Sequence, residues 1–195
     1  MCSSDLCSPR AVLDLATGSG DVAFALSRQV PATTTIVGAD FCQPMLDQAE
    51  AKKRAAGAGA FPNVAFCHAD ALNLPFADAS FDAVTIAFGL RNLAEPIVGL
   101  REMRRVVRRR AVVLEFVRPP EGVIGGVYRL YLRTLLPALG GAISGQPAAY
   151  RYLSDTVDAY RTPEELLAMA KQAGYSDVRI QLLAMGTVAI VSGGA

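Results

Sequence analysis

Three carboxylates and one glycine-rich turn are the residues of this chain best suited to chemistry. The run Asp14-Leu15-Ala16-Thr17-Gly18-Ser19-Gly20 ends a short apolar segment and precedes a helical pattern. Such a turn presents backbone N–H groups and a helix N-terminus to a ligand, and its glycines let the ligand approach the main chain. Gly18, Gly20 and Ala23 satisfy the permissive G-x-G-x-x-G/A pattern, and Asp40 lies 20 residues beyond Gly20. An acid at that distance accepts hydrogen bonds from ribose hydroxyls, which predicts a nucleoside-containing cofactor. The plainer alternative, glycines that turn a corner and an Asp40 that caps the next helix, is outweighed by the strand-turn-helix-strand context.

Asp14 and Asp70 bear on which cofactor it is. A carboxylate at the end of the first strand repels a pyrophosphate over the loop, but can hold the ammonium end of a methionine moiety directly or through water. Asp70-Ala71 follows the third apolar run, where a carboxylate can accept the adenine exocyclic N–H; a turn cap is the alternative there. Three acids around one cleft suit a cationic sulfonium ligand, S-adenosyl-L-methionine. The rivals are a nicotinamide-dependent oxidoreductase of the same fold, which Asp14 and Asp70 disfavour, and a non-catalytic cofactor-binding or assembly protein.

These residues need elements to hold them. Apolar runs at 11–16, 34–39, 64–68, 81–87 and 111–116 read as strands; patterns at 21–29, 43–58 and 95–107 read as helices. Thr162-Pro163-Glu164-Glu165 is a capping box opening a further helix that Gly174 stops, and 178–183 with 188–192 form a closing hairpin. Alternation of apolar strands and amphipathic helices predicts a doubly wound, mostly parallel seven-stranded α/β sheet with a C-terminal antiparallel hairpin. Residues 1–10 carry no pattern and 11–195 form one domain. Within it, 118–145 reads as an apolar insertion, either a lid that takes substrate and a bilayer surface or a segment packed on the sheet or at a homodimer interface.

Composition narrows the classes. With 52% apolar residues in 195, 19 Lys+Arg against 18 Asp+Glu and a formal net charge of +1, the chain is globular and lacks the field to hold nucleic acid. It has no signal peptide pattern, so a cytoplasmic protein is expected, one that could sit at the inner membrane face. No CxxC pair is present, Cys42 and Cys67 read as buried free thiols, and no metal site is expected. His68 reads as structural, pointing away from the ligand. Arg104 to Arg110 reads as a solvated helix face and its exit, with a weak attraction for anionic headgroups.

The glycine loop, Asp40, Asp70-Ala71-Leu72-Asn73-Leu74-Pro75-Phe76, Ser80-Phe81-Asp82 and Phe88-Gly89-Leu90-Arg91-Asn92 resemble the class I S-adenosylmethionine methyltransferases of ubiquinone and menaquinone biosynthesis. The resemblance continues through Leu114-Glu115-Phe116, Tyr150-Arg151-Tyr152-Leu153 and Ala173-Gly174-Tyr175, and covers 11–195. The glycine loop alone identifies only the superfamily; Phe-Gly-Leu-Arg-Asn and Tyr-Arg-Tyr-Leu are far more specific. The resemblance implies a Rossmann-like fold, cofactor contacts at Ser19, Asp40, Asp70, Ala71 and Ala87, and a prenylated quinol, benzoquinol or naphthoquinol, as methyl acceptor. The family's N-terminal helical segment, with its Tyr-Asp and His-Trp motifs, is expected to be lacking. The turn before the fifth strand, usually Leu-Lys-Pro-Gly-Gly, is about two residues short, opposite the ligand edge.

Arg91 and Asn92 follow the fourth strand at that ligand edge and are the catalytic candidates. Arginine stays protonated, so Arg91 is expected to stabilise a developing phenolate, or to act on a water that removes the quinol proton. A surface ion pair is its plainer alternative. Glu115 either shapes the acceptor pocket or pairs with an arginine.

Overall fold

The computed structural model describes residues 9–118, 122 and 160–195. Its seven strands are β1 (Ala11–Leu15), β2 (Thr35–Asp40), β3 (Val64–His68), β4 (Phe81–Ala87), β5 (Val107–Phe116), β6 (Ser176–Leu183) and β7 (Val188–Gly194). They form one sheet in the order β3-β2-β1-β4-β5-β7-β6. The first five are parallel to one another, and β7 runs antiparallel between β5 and β6. The doubly wound class and the closing antiparallel pair are therefore as expected. Strand order reverses where β1 lies between β2 and β4, which opens a crevice beyond the carboxyl ends of these strands.

Alternation along β1 assigns its residues to two cores. Leu13 and Leu15 join the larger one, with Leu100, Met103 and Val106 of α3 (Pro96–Val106) and Leu166, Met169 and Ala170 of α4 (Pro163–Gln172). Val12 joins the smaller one, with Ala23 and Phe24 of α1 (Asp21–Gln29), Ile36 and Val64. A strand buried on both faces must be apolar throughout, hence the near-continuous runs. The fourth expected helix starts at a capping box: the Thr162 side chain accepts the Glu165 N–H, and the Glu165 carboxylate accepts the Thr162 N–H.

Three expectations are corrected. The exit expected at Arg108 to Arg110, after a helix ending at 107, is already strand: α3 stops at Val106 and Val107 is extended, so these arginines lie on β5. They are also not a free basic face: Arg108 and Arg109 pair with Asp82, and Arg110 pairs with Asp177. Cys42 is exposed at the N-cap of α2 (Gln43–Ala55) and Cys67 is half-buried, because β3 is a sheet edge and one of its sides has no strand to cover it. His68, at the end of the same edge strand, is exposed, its ring 5.3 Å from that of Phe41.

Most of the apolar insertion expected at 118–145 and the Tyr150 to Leu153 motif lie outside the described residues, as do residues 1–8. Among the described residues no helix is long and apolar enough to cross a membrane.

Candidate functional site

A cleft of about 570 Å³ opens at the strand-order reversal, within the size range of small-molecule sites. Its walls are the residues that follow β1, β2, β3 and β4, including Gly18, Asp40, Asp70, Ala71, Ala87 and Asn92. Two carboxylates thus face a lining that, among the described residues, contains neither lysine nor arginine.

Asp40 ends β2 and is locked by the main chain on both oxygens. Its Oδ2 accepts the Gly18 N–H at 2.8 Å and its Oδ1 accepts the Cys42 N–H at 2.8 Å. A carboxylate has roughly four lone-pair sites, so each oxygen keeps capacity for another donor while its orientation is fixed. Asp70 is exposed, and its Oδ1 accepts the Leu72 N–H at 2.9 Å, the turn cap weighed as its alternative. That cap orients the residue on the cleft wall without closing it to a ligand.

The glycines divide their labour. Gly18 lines the cleft, with φ +55. Gly20 is buried, with φ +84, and a Cβ there would lie 2.7 Å from the Phe66 ring; it is glycine for backbone geometry and packing. Ser19 also stays off the cleft wall, its hydroxyl donating to Asp21 at 2.9 Å and accepting from Lys52 at 2.8 Å.

Asp14 departs furthest from expectation. It is 1% exposed and does not line the cleft. Its carboxylate accepts the hydroxyls of Thr17 at 2.5 Å and Thr85 at 2.9 Å. Because β1 is central, its side chains enter the interior, and a direct hold on a ligand ammonium is replaced by a hold on the loop. Burial raises its pKa to about 6 against those hydrogen bonds.

Asn92 lines the cleft, whereas Arg91 turns behind it. The Arg91 Nη1 donates to Glu115 and to the Phe88 carbonyl at 2.9 Å, and the Arg91 N–H donates to Glu115 Oε2 at 3.1 Å. The guanidinium lies 5.3 Å from the centre of the Phe116 ring. Arg91 is 10% exposed and Glu115 0%, so the ion pair weighed as the plainer alternative is present but buried and not on the surface. It also answers the question left open for Glu115, which pairs with an arginine.

Two wall residues lie within the sequence motifs but were not among the candidate site residues. Ala16 (φ 52) and Phe88 (φ 55) follow β1 and β4 directly and occupy the left-handed region without being glycine. Such positions cost on the order of 1–3 kcal/mol and persist where surrounding structure imposes them, often at ligand sites. Here Gly89 allows it: a Cβ on Gly89 would lie 2.5 Å from the Ala16 Cβ, so the two strand ends meet at the cleft floor. Phe41, Met45 and Leu93 add apolar wall with no signal beyond their hydrophobicity.

Comparison with known proteins places this geometry. The model of the ubiE/COQ5 methyltransferase family matches residues 2–194. A demethylmenaquinone methyltransferase of Thermus thermophilus is 51% identical over 185 residues, 94% of this chain and 81% of that protein. The ubiquinone/menaquinone biosynthesis C-methyltransferase UbiE of Geotalea uraniireducens is 40% identical over 172 residues, 86% of this chain and 71% of that protein. Among solved structures, a SAM dependent methyltransferase from Aquifex aeolicus superposes with a TM-score of 0.65 at 18% identity, covering 95% of this chain and 81% of that one.

Proposed function

Since the chain belongs to the ubiE/COQ5 methyltransferase family and is an S-adenosylmethionine-dependent methyltransferase, we propose that it methylates a ring carbon of a prenylated quinol. The observation that carries this reading is the cleft at the strand-order reversal, walled by Asp40 and Asp70 and, among the described residues, free of lysine and arginine. It suits a nucleoside bearing a cationic sulfur and disfavours a pyrophosphate, whose charge would meet two carboxylates and no cation. The relatives' names supply the acceptor class, and they divide between menaquinone and ubiquinone chemistry.

Each wall residue has a part in this reading. Asp40, fixed on the Gly18 and Cys42 N–H groups, takes the ribose hydroxyls. Asp70 and Ala71 border the adenine, with Asp70 accepting its exocyclic N–H. Gly18 and Ala87 allow close approach of main chain to ligand, and Ser19 and Gly20 shape the loop from behind. Asp14 acts one layer deeper by holding Thr17, whose N–H donates to the Ala39 carbonyl at 3.1 Å and ties the loop to the end of β2. Bound in this cleft, the cofactor supplies a methyl carbon made electrophilic by the neighbouring sulfonium. The protein then has to exclude water, orient the acceptor carbon in line and stabilise negative charge on the ring oxygen. Asn92 faces the cleft for the orienting part, and Arg91 supplies the positive charge just behind Phe88.

An acceptor with a prenyl tail is nearly insoluble in water, so contact with a bilayer surface is part of the proposal. The deciding experiment incubates the protein with S-adenosylmethionine and a short-tailed demethylmenaquinol under reducing conditions and reads the product by mass spectrometry. A ring-methylated quinol is expected, with calorimetry showing tighter binding of S-adenosylmethionine and its demethylated product than of NAD. Tighter NAD binding with no methyl transfer would transfer the assignment to the oxidoreductase. Flotation with anionic liposomes tests the membrane part by itself.

A further inference from the structure

Beyond the cleft wall, the carboxyl edge of the sheet holds a second polar cluster around Glu115. The two Glu115 oxygens accept three donors: the Arg91 N–H, the Arg91 guanidinium and the Phe116 N–H. Just past the end of β5 the Arg118 N–H donates to the Arg161 carbonyl at 2.9 Å, which brings Tyr160 to the same strand end. Tyr160 is half-buried with its hydroxyl oxygen out of solvent, and that hydroxyl lies within electrostatic reach of both Glu115 and Arg91. Burial and the Glu115 charge push its pKa up to about 12, so it stays a hydrogen-bond donor at neutral pH.

Among the described residues only three buried side-chain polar atoms lack a hydrogen-bond partner: Ser80 Oγ, Arg91 Nε and the Tyr160 hydroxyl. Two of the three belong to this one cluster, and both are donors. A buried donor left unsatisfied loses its hydration with nothing in return, so a pair of them at a ligand edge is unfavourable unless something that accepts two hydrogen bonds sits there during the protein's work. The position agrees with such an occupant. Phe88 lines the cofactor cleft on one side, and its ring packs on Phe116 at 4.7 Å on the other, directly under the Arg91 guanidinium.

We infer that Tyr160 is a specificity-determining residue, whose hydroxyl joins the Arg91 Nε–H to seat the ring oxygen of the quinol acceptor. The inference rests on the quinol reading above and deepens it. A phenol oxygen accepts both hydrogen bonds, and a phenolate accepts them more strongly, so the seat discriminates in favour of an aromatic ring bearing a hydroxyl next to the reacting carbon. Glu115 then serves as a positioning residue: it neutralises Arg91 and holds its guanidinium so that Nε–H is the donor left over.

Tyr160→Phe tests this by removing one oxygen and no packing volume. In the full chain, KM for a short-tailed demethylmenaquinol should rise by about tenfold, the size expected of a hydrogen bond to a charged or charge-developing oxygen. The dissociation constant of S-adenosylhomocysteine should stay unchanged, and Tm should hold or rise because the lost hydroxyl had no partner. A spectroscopic readout needs no turnover: α-naphthol bound to the parent should ionise at lower pH than α-naphthol bound to Tyr160→Phe. An unchanged KM together with a fallen Tm would make the hydroxyl structural and overturn the inference while leaving the quinol reading intact. A parent that binds S-adenosylhomocysteine yet neither methylates the quinol nor binds α-naphthol would sink the acceptor class, and the seat with it.

Discussion

The two edges of the sheet treat charge in opposite ways. At the amino edge every charge named here is consumed internally. Asp82, 4% exposed, accepts the Arg10 N–H at 2.7 Å and pairs with Arg108 and Arg109. Arg105 is held by Glu102, Asp78 and the carbonyls of Leu74 and Phe76. At the carboxyl edge the polar groups are oriented but not exhausted: Asp40 keeps lone pairs, and Arg91 Nε and the Tyr160 hydroxyl keep protons. Satisfied clusters close a fold, whereas oriented clusters with capacity to spare bind something else. By this contrast the arginines of 104–110 belong to the frame, and Arg91 is the arginine proposed for chemistry.

The sharpest way to break this contrast is Arg91→Ala. It should lower turnover by roughly 10² to 10³ while leaving the cofactor dissociation constant nearly unchanged. It should also destabilise the fold by about 3–5 kcal/mol, because Glu115 is left as a buried charge without its partner. Arg91→Met combined with Glu115→Gln should recover most of that stability in urea denaturation and none of the turnover. Recovery of both would place Arg91 among the purely structural arginines.

Asp40→Ala is next in size. Cofactor binding followed by calorimetry should weaken tenfold or more, since ribose hydrogen bonds to a charged group are worth roughly 1.5–3 kcal/mol. An unchanged affinity would mean that Asp40 belongs with the exhausted carboxylates.

Asp14 gives a pH-dependent test. Its folded pKa of about 6 lies above the ordinary 3.8, so the folded state holds this proton more tightly than the unfolded state does. Its contribution is therefore fully present below pH ~4 and is lost as pH rises through ~6, by on the order of 3 kcal/mol. Asp14→Asn cannot ionise, so the parent should lose stability relative to the variant across that window. A parent-minus-variant difference that is flat with pH would show that Asp14 ionises normally.

The smallest effect is expected at the amino edge. Asp82→Asn should cost about 1 kcal/mol in Tm or urea midpoint, because its arginines remain partly solvated, and should leave cofactor affinity and turnover unaltered. A selective loss of activity would erase the distinction between the two edges.

Much of the frame is legible in the amino-acid sequence. The 21–29 helix and the 64–68 and 81–87 strands have the expected bounds, because their periodicities are strong and their ends carry turn residues. Among the candidate site residues, Gly18, Asp40, Asp70, Ala71, Ala87 and Asn92 meet on one cleft wall. What failed did so for physical reasons. Arg108 to Arg110 continued a helical charge pattern, and the shortened turn let α3 pass straight into β5. Tyr160 gave no signal, since a lone tyrosine before a capping box resembles any half-buried aromatic.

The sequence by itself determined the alternation of strands and helices, the glycine turn after the first strand and the acid 20 residues on, all properties encoded within a few turns of chain. Only the tertiary structure decided that β7 lies between β5 and β6, that Asp14 faces inward to two threonines, and that Arg91 spends one end of its guanidinium on Glu115 and keeps the other. Those outcomes depend on which distant groups share a strand end. The hydrogen-bonding capacity of a polar side chain is written in its residue type, but how much of it remains for a ligand is set by neighbours far away in the chain.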